Sequence, residues 1–393
     1  MENGKTKEQH YIPRFYLKNF ANQEKKFTLI NIEKKKAIID IPYLPQFKEK
    51  YFYDKDNSIE NKLSILEAKW ANTINSILDG HYPSEKEKNN LKEFAIYQRN
   101  RTLYKSDELL EFSWQSERIK QEMEYHRKRV KVDDEQWEEI KRKFIKEYPY
   151  KSISIALKIA ERNLNILDDL DVAIIKYNTR EKLISSDNPI IHYNNFDQKS
   201  VGYINAGLVI FFSLSSEYLC VIYDSKMYEK LNNDDYIHSN NEYEVKYLNY
   251  FQILNSYNYI YFNNSMQAQT LIKMLKKQKI QKLLCLPKFK SDLLGNDNEK
   301  LLSFSAKYVY LNHSFSFSRL VRRAIRVPKN AIDWFPRKFD KKYYNGNFKN
   351  RVSIIPVLNK MKNDNNFKEA VIWNEEEIKI FNKFIIDYWG NSL

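Results

Sequence analysis

The sequence predicts an α+β protein: a helical layer from roughly Ser58 to Leu167, packed against a mostly antiparallel sheet that begins at Asp171. Apolar residues recur at three- and four-residue steps through the first region, which is the period of amphipathic helices. After Asp171 they occur in short β-branched and aromatic runs bounded by Asn, Asp and Ser, a pattern typical of strands. With 393 residues, the chain is long enough for one large domain or two ordinary ones.

The best candidate for a domain boundary is the polar stretch from Phe289 to Asn298, which contains Gly295. We therefore predict an α+β core domain over residues 1–288, which holds an N-terminal arm and hairpin, the helical layer, and the sheet with its helices. Residues 289–393 form a basic, aromatic-rich C-terminal region.

The N-terminal unit is predicted to contain a β-hairpin. Its strands are Phe27 to Ile32 and Ala37 to Ile41, on either side of the charged turn Glu33-Lys34-Lys35-Lys36. Two interpretations of the basic turn are open, because lysines in a turn are usually solvated but can also contact phosphate.

Four helices are expected in the helical layer. The first, Ser58 to Leu78, has Ser58 as its cap and Gly80 just past its end. The second opens with a capping-box pattern at Ser84 and is predicted to run to about Val130, with possible breaks. The last two are Asp133 to Glu147 and Ser152 to Leu167.

The second half of the core is predicted to be mostly strand and then mixed. The expected strands are Val172 to Lys176, Lys182 to Ser185, Ile190 to Tyr193, Leu208 to Ser213 and Tyr218 to Tyr223. After them come a helix over Glu242 to Ser256, a strand over Tyr259 to Phe262 and a helix over Ser265 to Lys279.

Composition narrows the class of protein. Lys and Arg number 65 and Asp and Glu 51, so the formal net charge is 65 − 51 = +14. Such an excess favours nucleic acid, phosphate-bearing ligands or an acidic surface as partners, although an AT-rich genome also produces lysine-rich chains. The two cysteines, Cys220 and Cys285, form no disulfide framework, and no signal peptide or membrane-span pattern is present, so we expect a cytoplasmic protein. No phosphate-binding glycine-rich loop is present in the sequence.

The densest pattern lies at the N-terminus, from His10 to Phe20, where a histidine, a proline, an arginine and several aromatic residues occur together. Pro13 favours an extended residue before it and a short helix after it. The segment either presents His10 and Arg14 to a polar site or is an aromatic arm that plugs into the core.

Polar residues also occupy positions where apolar ones are expected. Gln98 and Arg101 lie on the apolar stripe of the second helix, and a buried arginine needs a partner such as Glu67. Gln98 and Arg101 therefore either tie the core to such a neighbour or line a site. Glu60 and Glu67 lie on one side of the first helix, where they are either solvated or paired with lysine, or look into a cleft as a divalent-metal site requires.

A strand-end carboxylate is the other candidate. Asp187, in Ser185-Ser186-Asp187-Asn188-Pro189, can set a local Asx-turn, or it can serve as a metal ligand or general base. The C-terminal region adds four arginines that are candidates for nucleic-acid binding: Arg319, Arg322, Arg323 and Arg326. A solvated helix face explains that run almost as well.

The opening from His10 to Phe20 resembles an uncharacterised bacterial family of the His-Tyr-x-Pro-x-Phe-x-Leu-x-x-Phe type, a domain of unknown function. The segment from Gln98 to Thr102 and, after it, the Ser-Asp-x-Pro motif at Asp187 resemble later blocks of that family. They follow in the same order as in the family. The resemblance covers roughly residues 8 to 285. It indicates where the sequence blocks of the family lie in this chain, but it implies no mechanism, because the family has no assigned function.

The function that we predict from these residues is a nucleic-acid-directed hydrolase, a metal-dependent nuclease-type effector in bacterial antiviral defence. Its expected catalytic residues are His10, Arg14, Gln98, Arg101 and Asp187, of which His10, Gln98, Arg101 and Asp187 should converge on one cavity. A divalent metal, Mg²⁺ or Mn²⁺, would be held by Glu60, Glu67 and Asp187. The alternatives are a non-catalytic module that binds nucleic acid or a nucleotide, and a structural partner protein.

Overall fold

A computed structural model describes residues 8–147, 151–195, 202–231, 234–263, 265–277, 288–294, 299–305 and 314–321. Its helices are α1 (Arg14–Lys18), α2 (Ser58–Leu78), α3 (Glu85–Asn100), α4 (Leu103–Arg127), α5 (Asp134–Glu147), α6 (Lys151–Arg162), α7 (Glu242–Asn255) and α8 (Ser265–Lys277). Its strands are β1 (Glu8–His10), β2 (Lys26–Asn31), β3 (Lys36–Pro42), β4 (Lys48–Lys50), β5 (Asp171–Tyr177), β6 (Ser185–Ser186), β7 (Ile191–Tyr193), β8 (Val209–Ser213), β9 (Tyr218–Tyr223), β10 (Ile237–Ser239), β11 (Tyr259–Phe262), β12 (Lys288–Leu294) and β13 (Glu299–Ser305).

The α+β prediction is confirmed, and the strands of the core form two larger sheets. One sheet has five strands in the order β10-β5-β9-β8-β7, and only its β10–β5 pair is parallel. The other has four antiparallel strands in the order β3-β2-β11-β6. The N-terminal hairpin is thus joined to strands from the second half of the core, which the sequence alone did not indicate.

The five-stranded sheet lies between two layers of helix. Successive residues of a strand point to opposite faces, so Ile174 packs in the cluster that includes Phe94 of α3 and Ala156 of α6, on the helical layer. Ile175 packs instead with Val245 of α7 on the other face. Both faces are buried, which explains why β5, β8 and β9 are nearly continuous apolar runs.

The predicted second helix is divided into α3 and α4 at Arg101 and Thr102. The Thr102 side chain accepts a hydrogen bond from the Lys105 N–H at 3.2 Å, so it caps the start of α4. The break places Arg101 at the end of α3. Ser58 does not cap α2 as expected; instead, the Asp54 carboxylate accepts the Ile59 N–H at 2.5 Å.

The N-terminal arm packs where helices and sheets meet. Tyr16 of α1 lies 5.4 Å from Phe94 between ring centroids, and Phe20 lies 5.4 Å from Tyr261 of β11. The Tyr16 hydroxyl donates to the Ser213 carbonyl at 2.5 Å. The arm is therefore a buried part of the fold, and it fixes the position of the residues just before it.

Part of the predicted C-terminal region packs on the core. Phe315 and Phe317 are buried on the α7 side of the five-stranded sheet and stack with centroids 4.9 Å apart. The Val321 N–H donates to the Met227 carbonyl at 2.9 Å. The predicted boundary from Phe289 to Asn298 overlaps β12, which pairs with β13. Among the described residues, no helix is long and apolar enough to cross a membrane.

Candidate functional site

Arg101 is the centre of a polar cluster at the corner between β1 and α1. Its side chain is 1% exposed and forms an ion pair with Glu67, with Nη1 2.6 Å from Oε1. Nη2 donates to the His10 carbonyl and Nε to the Tyr53 hydroxyl, both at 2.8 Å. Tyr53 in turn donates to the same His10 carbonyl at 2.8 Å. Arg101 therefore holds the corner against α2 and α3, and we call this group the Arg101 cluster.

Gln98 supports the same corner from one turn earlier on α3. Its Nε2 donates to the Tyr11 carbonyl at 3.1 Å, and the side chain is buried. Gln98 and Arg101 together satisfy two successive carbonyls of the N-terminal segment, which explains why polar residues occupy apolar positions of the helix.

His10 is buried in this cluster and is neutral at pH 7. Its Nε2 lies 2.9 Å from the Leu44 carbonyl and donates to it. The pKa of His10 is lowered to about 4, mainly by burial; the hydrogen bond to Leu44 opposes this shift, and the positive charges of Arg14, Lys48 and Arg101 add to it. A neutral imidazole that donates to a backbone carbonyl has its tautomer fixed.

Glu60, on α2, is a carboxyl with a raised pKa and an oxygen that has no hydrogen-bond partner in the described structure. Burial raises the pKa of Glu60 to about 7, with Glu67 and Asp54 adding to the rise while Arg101 and Arg14 oppose it. Its Oε2 atom is buried and has no hydrogen-bond partner among the described residues. A carboxyl with an unpaired oxygen and a near-neutral pKa is uncommon in a purely structural role.

Asp187 is buried in a second polar group, which we call the Asp187 cluster. Its Oδ1 accepts the Tyr257 N–H at 2.8 Å, and its Oδ2 accepts the Asn258 and Tyr259 N–H groups at 2.7 and 3.0 Å. The sequence left open a local Asx-turn or a role as metal ligand or base; in the structure the carboxylate binds the turn that leads into β11, about seventy residues later in the chain. Asp187 thus fixes the conformation of the loop that connects α7 to β11.

Amides complete the Asp187 cluster. Gln252 of α7 donates to the Ser186 hydroxyl at 2.6 Å and to the Asn188 carbonyl at 3.1 Å. Asn188 donates to the Asn255 carbonyl at 3.0 Å. These bonds join the Ser-Asp-x-Pro segment to the end of α7.

The structure therefore brings His10, Gln98, Arg101 and both glutamates together, with Arg14 beside them, but bonds Asp187 elsewhere. Tyr11 is the link between the two clusters. Its carbonyl accepts from Gln98, and the pKa of its phenol is raised by burial and by the charge of Asp187. Across the ranges that the structure describes, no group of three or more His, Cys, Asp or Glu side chains is placed to hold a metal ion.

Comparison with protein-family models matches residues 8–266 to a family described as "Protein of unknown function (DUF4238)". The match spans more than half of the 393 residues and includes both clusters. The chain belongs to this family. The resemblance predicted from the His10 to Phe20 segment is thus confirmed. No curated protein and no solved structure matches the chain.

Of the four candidate nucleic-acid-binding arginines, the structure describes only Arg319; Arg322, Arg323 and Arg326 lie outside the described residues. The Arg319 backbone is extended, so this residue is not on a helix. Its Nη1 lies 3.6 Å from an Oε2 of Glu229, and both side chains are largely exposed. A pair of this kind contributes little to stability.

Two members of the Arg101 cluster were missed from the sequence, Gln9 and Tyr53. The Gln9 side chain accepts the Tyr53 N–H at 2.7 Å and donates to the Asp54 carbonyl at 3.0 Å. A signal was present, because an aromatic run ending in Asp54 stands directly before α2. The sequence did not show that this run returns to the arm through Gln9.

Proposed function

We propose that this chain is a hydrolase that acts on nucleic acid, and that Glu60 transfers the proton in its reaction. The observation that carries the proposal is the Glu60 carboxyl, half-buried, with an unpartnered Oε2 in the described structure and a pKa of about 7. Near neutral pH such a carboxyl is present in both protonation states, which is what a general acid or base requires.

The other two carboxylates that the sequence suggested as metal ligands are bound to other groups. Glu67 neutralises Arg101, and both oxygens of Asp187 accept backbone N–H groups. A carboxylate held by ion pairs or several hydrogen bonds is a poor base, because those bonds favour its charged form. Glu60 is therefore the carboxyl best suited to proton transfer in the Arg101 cluster.

Arg14 is the cation best placed to meet a phosphate. Its side chain is exposed, its Nε lies 3.5 Å from Nε2 of His10, and its charge acts on Glu60. Arg101, the residue expected from the sequence to stabilise phosphoryl charge, is buried and engaged by Glu67, Tyr53 and His10. We assign phosphate contact to Arg14 and positioning to Arg101. The formal net charge of +14 supports a polyanionic substrate.

The predicted metal ligands do not fit a shared metal centre as they are arranged. Glu60 and Glu67 flank Arg101, whereas the oxygens of Asp187 are occupied by backbone donors. No step of the proposed reaction is routed through a metal, and the requirement for Mg²⁺ or Mn²⁺ stays a prediction.

The test is cleavage of labelled RNA and DNA by purified protein, with and without Mg²⁺, Mn²⁺ and a chelator. Glu60→Gln keeps the shape of the side chain but cannot exchange a proton, so we expect activity to fall by about 100-fold or more. Glu138→Gln, an exposed carboxyl on α5, is the matched control and should keep full activity. No cleavage by the parent protein under any condition would contradict the proposal, as would full activity of Glu60→Gln.

The second candidate function is non-catalytic binding of nucleic acid or a nucleotide. It is favoured by the extent to which the Arg101 cluster is bonded to itself, since Arg101 and Gln98 both hold backbone carbonyls. Under this account the parent protein binds RNA or DNA without cleaving it, and Glu60→Gln leaves binding unchanged. A role in bacterial antiviral defence stays a prediction, which phage challenge of cells with and without the protein would check.

A further inference from the structure

One face of α7 carries aromatic residues on the outside of the molecule. The inner face packs on the five-stranded sheet through Val245. The outer face holds Tyr243, Lys246, Tyr247 and Tyr250, at the i, i+3, i+4 and i+7 spacing of one helical stripe. We call these four residues the tyrosine stripe.

The stripe is exposed to solvent to an unusual degree for aromatic residues. Tyr243 is 76% exposed and Tyr247 is 43% exposed. Lys246 is also exposed, and its Nζ lies 5.5 Å from the centre of the Tyr243 ring, while Tyr250 is half-buried. Large apolar groups grouped on an exposed face are typical of interaction surfaces, whereas single exposed ones are common anywhere.

Negative charge is directed away from the stripe. Glu244 is buried, and its carboxylate accepts the Tyr177 hydroxyl at 3.0 Å and the Ser316 N–H at 2.7 Å. Glu242 accepts the Arg180 N–H at 3.2 Å. The stripe itself contains one lysine and no carboxylate. The one charged side chain of the stripe is therefore a cation, which can contact a phosphate.

We propose that the tyrosine stripe binds single-stranded nucleic acid, with unpaired bases stacked on Tyr243 and Tyr247 and a phosphate near Lys246. At 1.5 Å per residue, the two tyrosines are separated by about 6 Å along the helix, which leaves a separate place for a base on each ring. Stacking on tyrosine needs the face of a base, which is available in a single strand and hidden in a duplex. The proposal rests on the proposed function, because both take nucleic acid as the ligand, and it names the form of that ligand.

Binding is tested in a Glu60→Gln background, so that substrate cannot be consumed. The probes are fluorescein-labelled oligo(dT) and oligo(U) of about twelve nucleotides and a duplex of the same length. The double variant Tyr243→Ala/Tyr247→Ala should bind both single strands at least about 25-fold more weakly, on the order of fivefold for each ring. Tyr243→Phe/Tyr247→Phe keeps both rings and should bind like its parent.

Two further variants separate stacking from charge. Lys246→Gln should weaken binding and make it less dependent on salt, with the log–log salt slope reduced by about one. Phe112→Ala removes an exposed aromatic residue of α4, outside the stripe, and should leave binding unchanged.

The outcomes distinguish this inference from the proposed function. Single-strand binding that survives loss of both tyrosines overturns the inference, even if the protein cleaves nucleic acid. Preference for the duplex also overturns it. Binding that is lost with the tyrosines and kept with the phenylalanines supports the inference, even if no cleavage is found. If the protein binds none of the probes, the inference and the proposed function both fail.

Discussion

The Arg101 and Asp187 clusters both bury charged side chains, but they differ in how completely those charges are bonded. In the Asp187 cluster, each carboxylate oxygen accepts at least one backbone N–H. In the Arg101 cluster, Arg101 is held by the His10 carbonyl, the Tyr53 hydroxyl and an ion pair with Glu67. Glu60 Oε2 and Gln98 Oε1, by contrast, are buried without a hydrogen-bond partner in the described structure, and of these two only Glu60 carries a titratable group.

The comparison shows that a buried charged group can have a structural role or a chemical one. A fully bonded group fixes the backbone, and its removal costs stability. A buried polar group without a partner lowers the stability of the folded protein. Such groups are found most often at functional sites. We therefore assign a structural role to Asp187 and a chemical role to Glu60.

The largest effect on stability is expected from Asp187→Asn. The amide keeps one acceptor oxygen but turns an NH₂ group toward a backbone N–H, so at least one buried donor loses its partner. We expect a loss of about 3 kcal/mol in the free energy of unfolding, measured by urea denaturation. Asp187→Asn that folds with parental stability but loses nuclease activity would instead place Asp187 in the catalytic site.

A smaller effect is expected from Glu67→Gln. The change leaves the buried Arg101 without its negative partner, and breaking a buried pair is strongly destabilising. Because the Glu67 side chain is 26% exposed, solvent compensates in part, and we expect a loss of about 2 kcal/mol. Glu139→Gln, which breaks a pair with Lys143 whose two side chains are 61% and 72% exposed, is the control. Equal losses in the two variants would contradict the central position given to Arg101.

The prediction that is most specific in sign concerns the pH dependence of stability. The pKa of Glu60 is raised in the folded protein from 4.5 to about 7, so its contribution is full below pH 4.5 and is lost as the pH rises to 7. His10 acts oppositely: its pKa is lowered from 6.5 to about 4, so its contribution is full above pH 6.5 and is lost as the pH falls. Urea denaturation should show that Glu60→Gln gains stability relative to the parent between pH 4.5 and 7. A constant difference across that window would contradict the raised pKa.

Local patterns predicted much of this fold. The bounds of α2 and β11 agree with the periodicity of the sequence because each element has its own apolar pattern and its own ends. The convergence of His10, Gln98 and Arg101 was also predictable, since a polar side chain in an apolar position must find a partner. Which partners it finds depends on the tertiary fold.

Long-range pairings could not be predicted in the same way. The Asp187 carboxylate binds the 257–259 turn, and β11 joins β2 across most of the core, and no local pattern encodes either pairing. The tyrosine stripe was missed for a different reason: α7 was recognised as a helix, but which of its faces is left uncovered is decided by the packing of the sheet.

The raised pKa of Glu60 can be measured by carboxyl NMR of protein labelled with ¹³C at the glutamate side-chain carboxyls and titrated across neutral pH. We expect one resonance with a pKa of about 7, which is absent from the spectrum of Glu60→Gln. The pKa of this resonance should rise when Arg14 is replaced by Gln, because the Arg14 charge lowers the pKa of Glu60. If every glutamate resonance titrates near the ordinary value of about 4.3, Glu60 is an ordinary carboxylate and the proposed chemistry is wrong.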